Sequence, residues 1–340
     1  MRRNALKKHC EITHQPQAYS SQSWMKRTHG FLFKQISVQY LLGSEMRILG
    51  LVASYRKMGN SEVLAREALL AARELGAEVA LIRLTDLHVE PCKGCMACLF
   101  KGELCRIEDD VDWFMNQLLE SDGVVLSSPT YILSPPGIVK MLIDRMIPLQ
   151  DSDKIRELAE RGRVGVVMGV ATNPREWAPF TLPMLKMFLQ VAQIRVIGSM
   201  LVEAAGPGEV VLDEKAMNRA RGLGVALVDA IEGKEVGEEQ GLYACPACRC
   251  DLLRWLGNGT VECPLCGIKG KITMKNGKIA IEFPEEQINT CRWKPEMAIK
   301  HTQEEILPTA TEYVKKLKLI KQKLSRYQET SIETLRPETR

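Results

Sequence analysis

The chain has no run of about 18 apolar residues, the length a membrane-spanning helix requires. The nearest stretch, around Val164 to Ala171, is strand-length, so no membrane span is expected. It also lacks the phosphate-loop pattern G-x-x-x-x-G-K-[ST] and the dinucleotide pattern G-x-G-x-x-G. Gly222-Leu-Gly224 has no third glycine and lies within a helical pattern. Histidines are scarce: His9, His14, His29, His88 and His301 are scattered, and none pairs with a nearby carboxylate or serine as a catalytic base. A surplus of one charge is missing too, because 46 Lys and Arg face 42 Asp and Glu, and a net charge of +4 does not point to nucleic acid. No secretion signal is evident, so the cysteines belong to a reducing, cytoplasmic setting.

Cysteine is what the chain has in quantity, with 11 residues, eight of them in metal-type spacings. In PCKGCMACLFKGELCRIEDD, Cys92, Cys95 and Cys98 recur at intervals of three and Cys105 follows on the same loop. Three cysteines in a C-x2-C-x2-C run can wrap one face of a 4Fe-4S cubane, and Cys105 supplies the fourth ligand. Reduced structural or redox-sensing thiols are the second reading and zinc the third. The spacing differs from the C-x2-C-x2-C-x3-C-P run of bacterial ferredoxins. A second set, Cys245-Pro-Ala-Cys248 and Cys263-Pro-Leu-Cys266, brackets the turn signal Gly257-Asn-Gly259. Two C-x2-C knuckles across a hairpin predict a zinc ribbon, with rubredoxin-like iron as the alternative. Cys250 reads as a buried spectator, with a ligand in place of Cys248 as the alternative, and Cys10 and Cys291 have no partner in metal spacing.

Residues 1–45 carry a basic excess without periodicity and read as a disordered tail, with a targeting peptide as the alternative. Met46 opens the first clean strand, so an over-early start codon is another account of part of that tail. From there continuous apolar strands at 46–54, 79–84, 123–127, 165–170 and 194–200 alternate with helical stretches at 61–75, 110–119, 137–146, 180–192 and 213–232. That alternation predicts an α/β doubly wound, five-stranded parallel sheet over residues 46–233. A charged linker at 234–240 precedes a ribbon module at 241–284, expected to bind its metal independently of the larger domain. Asn276-Gly277 joins its last two strands as a hairpin. The tail, 285–340, is expected to carry a helix over 309–328 packed on its own domain, opened by a Thr309 and Glu312 capping box.

Ligands of doubly wound sheets sit beyond the carboxyl ends of the strands. The first such loop, Ser54-Tyr-Arg-Lys-Met-Gly-Asn-Ser61, runs straight into a helix. Hydroxyls, an amide, backbone N–H groups and Arg56 make it a candidate phosphate site, with an ordinary capped turn as the alternative. The third, VVLSSPTYILSPPGIVKMLIDRM, puts a stiff Pro129-Thr130-Tyr131 segment past the strand end, where Tyr131 could border a planar ring. Lys140, Asp144 and Arg145 read as a solvated helix face with a local ion pair.

With Ser54, Arg56 and Asn60-Ser61, Pro129-Thr130-Tyr131, Ser134, Pro136-Gly137, Lys140 and Asp144-Arg145, the chain resembles the NADPH-dependent FMN reductase family of flavodoxin-like proteins. PCKGCMAC, Gly102, Cys105 and Asp109-Asp110 extend the resemblance to the iron-sulfur flavoproteins. The resemblance implies a strand order of 2-1-3-4-5, bound FMN and a homodimer. By motif position Ser54, Arg56, Gly59, Asn60 and Ser61 would hold the FMN phosphate, and Pro129, Thr130, Tyr131 and Ile132 would line the ring. Met168 to Asn173 is the third candidate loop. The expected function is an FMN oxidoreductase fed single electrons through a 4Fe-4S cluster, with ferredoxin as donor and a small molecule as acceptor. A cluster-free reductase taking hydride from NAD(P)H is the alternative, and a redox-responsive binding protein the third reading.

Overall fold

The computed structural model describes residues 46–102, 105–237, 244–275 and 277–329. The expected basic tail, residues 238–240 of the linker and Asn276 lie outside the described residues. Five parallel strands, β1 (Arg47–Val52), β2 (Glu78–Arg83), β3 (Gly123–Pro129), β4 (Val164–Ala171) and β5 (Arg195–Glu203), form one sheet in the order β2-β1-β3-β4-β5. Side chains on a strand alternate between faces, and β1 shows the result. Ile48 and Val52 enter the core on one face of the sheet, Leu49 and Leu51 the core on the other. Because helices cover both faces, β3 and β4 read as uninterrupted apolar runs.

On the first face lie α1 (Asn60–Glu74) and, later in the chain, the long helix Glu214–Ile231. The opposite face is covered by α3 (Val111–Glu120), which follows the single turn α2 (Ala97–Phe100), and by α4 (Gly137–Arg145), α5 (Ser152–Glu160) and α7 (Thr181–Val191), the last preceded by the turn α6 (Pro174–Trp177). Phe114 of α3 meets Phe188 of α7 edge to face, with centroids 6.3 Å apart, and joins the two helices over the sheet. α5 has no counterpart among the helices read from the sequence. Asp151 caps it by accepting from the Asp153 and Lys154 N–H groups. The helix Glu214–Ile231, α8, is capped in the same way by Asp213.

A second, antiparallel sheet follows in the order β6 (Arg254–Gly257), β7 (Thr260–Glu262), β8 (Lys269–Lys275) and β9 (Lys278–Glu282). The ribbon does not end at the expected residue 284. Ile288 of α9 (Glu285–Asn289), Cys291 and Trp293 pack into its core, the Trp293 indole N–H donates to the Leu265 carbonyl at 2.9 Å, and Arg292 N–H donates to that of Cys266 at 3.0 Å. Nor does the final helix begin at a Thr309 cap. α10 (Pro295–Lys300), a π-helical turn (His301–Ile306) and α11 (Leu307–Glu329) follow without interruption, and the Thr309 hydroxyl donates back to the Ile306 carbonyl. α11 is also not packed on the domain as expected: Tyr313, Leu324 and Tyr327 are exposed. Its spacing is amphipathic, but among the described residues no sheet or groove covers that stripe. Among the described residues no helix is long and apolar enough to cross a membrane.

Candidate functional site

A cleft opens at the carboxyl ends of β1, β3 and β4. It is lined by Ser54, Arg56, Gly59, Asn60, Ser61, Pro129, Thr130 and Tyr131, by Val170, Ala171 and Thr172 of the third candidate loop, and by Ala204 and Ala205 after β5. Ile132 is the exception among the candidate residues. It is 88% exposed and sits outside the lining, at the tip of a tight turn in which Tyr131 N–H donates to the Ser134 carbonyl at 2.7 Å. Both central residues, Ile132 and Leu133, have positive φ, 46° and 70°, a conformation that favours glycine or asparagine and strains a β-branched residue. The turn is anchored from α7's end, where Phe180 N–H donates to the Leu133 carbonyl at 3.0 Å. Below it, Thr130 and Thr181 share a hydroxyl hydrogen bond of 2.8 Å.

The first loop is built from behind. Ser54 is buried, and its hydroxyl oxygen accepts the Arg56 N–H at 3.2 Å. Its carbonyl accepts from Arg83 Nη2 at 3.1 Å and from the Thr85 hydroxyl at 3.0 Å, both at the end of β2. Glu62, in the first turn of α1, accepts the Met58 N–H at 2.9 Å and pairs with Arg66 and Arg83. Burial alone would raise the Glu62 pKa, but hydrogen bonds from Arg66, the Met58 N–H and Arg83 bring it below the usual carboxylate value. Asn60 lines the cleft, and its side-chain amide is engaged with the protein. Its amide donates to the Gly206 carbonyl at 2.8 Å and accepts the Val210 N–H at 3.1 Å, which fastens the loop after β5 to α1. What faces the cleft is the Ser54 and Ser61 positions, Arg56 and the α1 N-terminus, whose first N–H groups have no acceptor within the helix. Gly59 leaves room beside them, since a Cβ there would meet Arg56 at 3.1 Å and the Ser54 hydroxyl at 3.5 Å. This donor set fits a phosphate monoester.

The first cysteine set occupies a loop closed at its neck. His88 N–H donates to Asp110 at 2.7 Å, Asp110 N–H returns to the His88 carbonyl at 3.0 Å, and Glu90 N–H donates to Asp109 at 2.8 Å. Arg145 completes the neck. It is not on the solvated helix face expected for it: Lys140 and Asp144 do form an exposed i,i+4 pair, but Arg145 turns inward to Asp109, the Glu90 carbonyl and the Cys105 sulfur at 3.5 Å. Inside the loop Gly94, Met96 and Gly102 take positive φ. Gly94 N–H points at the Cys92 sulfur at 3.4 Å. The Cys98 thiol is pushed up by burial and then by Cys95, Cys105 and Cys92. Four thiols with a buried guanidinium and an N–H directed at sulfur fit an anionic iron-sulfur cluster.

The ribbon cysteines are drawn in much closer. Cys245, Cys248, Cys263 and Cys266 are buried with their sulfurs all within 4.8 Å of one another, and the pairs 245/266 and 248/263 stand at 3.4 Å. Thiolates around one tetrahedral zinc would lie about 3.8 Å apart, so the donor set fits a single ion. The two knuckles repeat each other. Cys245 N–H donates to the Cys250 carbonyl and Arg249 N–H to that of Cys245, just as Cys263 N–H donates to the Ile268 carbonyl and Gly267 N–H to that of Cys263. Cys250 and Cys291 lie buried in the same core, the Cys250 thiol 3.9 Å from the Leu252 carbonyl. Cys291 could not be found from spacing, because α9 rather than a knuckle delivers it. The module is docked on the larger domain: Met187 of α7 packs against its core, Lys186 donates to the Arg249 carbonyl, and Arg249 donates from the first knuckle to the Ile197 carbonyl in β5.

A 2-1-3-4-5 parallel sheet with a cleft beyond the carboxyl ends of β1, β3 and β4 makes the protein flavodoxin-like, and its family makes it an FMN-dependent oxidoreductase. The profile of the NADPH-dependent FMN reductase family matches residues 46–204. An iron-sulfur flavoprotein of Methanocaldococcus jannaschii is 31% identical over 195 residues, 55% of this chain and 98% of the relative. The chain belongs to the NADPH-dependent FMN reductase family, within its iron-sulfur flavoproteins. A flavone synthase of Aspergillus candidus is 28% identical over 255 residues, 67% of this chain and 78% of that protein. A solved structure of a flavone reductase superposes with a TM-score of 0.70 at 25% identity, covering 86% of this chain and all of its own.

Proposed function

We propose that the protein is an iron-sulfur flavoprotein oxidoreductase in which Cys92, Cys95, Cys98 and Cys105 hold a 4Fe-4S cluster that relays single electrons to FMN in the cleft. The observation that carries this reading is Arg145: a buried guanidinium held against Asp109 and directed at the Cys105 sulfur. A cation there offsets the charge of a thiolate-bound cluster. The cluster would supply one-electron transfer and the flavin the conversion between one- and two-electron steps.

The chain's own residues have defined parts. The Ser54 and Ser61 hydroxyls, Arg56 and the α1 N-terminus hold the phosphate, while Glu62 and Arg83 keep that loop in shape. Pro129, Thr130 and Tyr131 border the ring, with Thr181 fixing Thr130. His88, Glu90, Asp109 and Asp110 close the cysteine loop so that its four thiols stay together. The donor is a one-electron carrier such as ferredoxin and the acceptor a small molecule; the chain works as a homodimer. The ribbon metal is zinc. The test is anaerobic. Cys105→Ala should keep FMN and lose iron together with donor-driven flavin reduction. If iron content is unchanged, the cluster assignment fails.

A second reading, an NAD(P)H-linked reductase acting on a flat aromatic acceptor of the flavone type, has its own support. The flavone reductase likeness spans 86% of the chain, so it runs past residue 233 into the C-terminal module, whereas the M. jannaschii relative spans 55%. Tyr131 and Phe180, both partly exposed beside the cleft, offer aromatic faces to such an acceptor. Stoichiometric flavin bleaching by NADPH in Cys105→Ala, reversed by a flavone, would favour this account over the first.

A further inference from the structure

We propose that Lys186 is the charge partner of the ribbon's metal centre and that, through it, the metal holds the flavin cleft in shape. The inference rests on reading Cys245, Cys248, Cys263 and Cys266 as ligands of one divalent ion. Lys186 lies on α7, on the opposite side of the domain boundary from those cysteines, and is 3% exposed. Its ammonium donates to the Arg249 carbonyl, in the knuckle between Cys248 and Cys250. Among the described residues no carboxylate lies within ion-pair distance of it; the charged and titratable groups that act on it are Asp251, which is exposed, Cys250, Cys248 and Arg249.

A buried ammonium with a neutral carbonyl as its acceptor is costly, because a carbonyl does not replace the hydration of a full charge. Four thiolates around a divalent ion carry a formal charge of −2, and burying that charge is costly for the same reason. Set side by side in one core, the two charges offset each other. A neutral, metal-free thiol core leaves Lys186 only the Arg249 carbonyl and the solvent-exposed Asp251, and a charged metal site adds the buried partner that the lysine otherwise lacks. The side chain at Arg249 points the same way. It occupies a left-handed backbone position, φ 58°, where the second knuckle has Gly267 at 83°. An arginine carries that strain where glycine would not, and its guanidinium fastens the knuckle to the Ile197 carbonyl of β5.

α7 then links two sites. Lys186 and Met187 enter the ribbon core, and the same helix starts at Thr181, whose hydroxyl bonds Thr130 in the cleft at 2.8 Å. Loss of the metal removes the partner of Lys186, loosens α7 and disturbs the ring side of the cleft.

The experiment uses full-length, FMN-loaded protein. Metal content is measured first, then the rate of metal transfer to a chromogenic chelator for wild type, Lys186→Met and Lys186→Arg. Lys186→Met, which keeps the length and apolar stem, should release metal at least about tenfold faster, in the range seen for outer-shell substitutions. Lys186→Arg should recover most of the difference. In cobalt-substituted protein the thiolate-to-metal charge-transfer band should move to lower energy in Lys186→Met, a change that a packing role alone would not produce. Equal release rates and an unmoved band would overturn the proposal. A measurement on wild type covers the case in which Lys186→Met does not fold. Complete chelation should raise the FMN dissociation constant severalfold, and an unchanged constant would overturn the coupling. Wild-type protein lacking a divalent ion at these thiols would overturn the metal reading itself, which the first measurement detects separately.

Discussion

Arg145 and Asp109 form an ion pair in the interior, their side chains 2% and 1% exposed, with Arg145 Nη2 and Asp109 Oδ1 3.1 Å apart. The pair also receives the Glu90 and Val111 N–H groups on Asp109 and gives a hydrogen bond to the Glu90 carbonyl. Removing one partner leaves the other charge buried and unpaired, at a cost of about 3–5 kcal/mol. Arg145→Met should therefore lower unfolding stability by about that amount in denaturant titration at neutral pH. It should also open the neck of the cysteine loop, read as faster proteolysis between residues 91 and 108.

The same pair sets a pH dependence. Burial would raise the Asp109 pKa, but the hydrogen bonds from Arg145 and from the Glu90 and Val111 N–H groups bring it below its ordinary value. A carboxylate with a depressed folded-state pKa contributes fully above its unfolded pKa, near 3.9, and loses that contribution as pH falls through the lower folded value. In Arg145→Met the carboxyl of Asp109 stays buried without its cation and its pKa rises, so the stability gap to wild type should be widest near neutral pH and shrink as falling pH first protonates Asp109 in the variant. A gap that stays constant through the acid range would rule out the pair as its source.

The sheet was readable because parallel strands buried on both faces leave apolar runs, as in GVVL and VGVVMGVA. The first loop of the cleft was readable because the residues that line it, from Ser54 to Ser61, are neighbours in the chain. Arg145 was not, since Lys140 and Asp144 supply a complete i,i+4 explanation nearby while its true partner lies 36 residues earlier. Lys186 and Cys291 were hidden for a related reason: only the docking of the ribbon on α7, and of α9 on the ribbon, gives them a role. α5 offered just Ile155 and Leu158 as buried positions, too few for a periodicity to stand out.

In the cleft, two kinds of residue should respond differently. If Arg56 and Ser61 hold the phosphate as proposed, Arg56→Ala combined with Ser61→Ala should lower flavin content in purified protein with little change in unfolding stability. Asn60→Ala leaves the Gly206 carbonyl and the Val210 N–H without partners. It should cost about 1–3 kcal/mol of stability and weaken flavin binding less than the double variant. Equal flavin loss in both would return Asn60 to the phosphate site.

The two glycines of Gly222-Leu-Gly224 give the sharpest contrast. Both sit within α8, where glycine costs roughly 0.5–1 kcal/mol relative to alanine. Gly222 is exposed, and a Cβ there would meet nothing within 4 Å. Gly224 faces α1, and its Cβ would lie 2.0 Å from the Ala68 carbonyl oxygen and 2.9 Å from its Cα. Those atoms are backbone in the middle of a helix, so no side-chain rotation relieves the clash and the two helices must part. Their contact buries Ala68, Leu223 and Leu227 on the first face of the sheet. Gly222→Ala should therefore stabilise the protein by about 0.5–1 kcal/mol. Gly224→Ala should destabilise it by more than the roughly 1–3 kcal/mol usual for an overpacked core. Thermal unfolding of the two single variants, side by side, checks both signs. A tolerated alanine at 224 would mean that α1 and α8 do not pack at this distance.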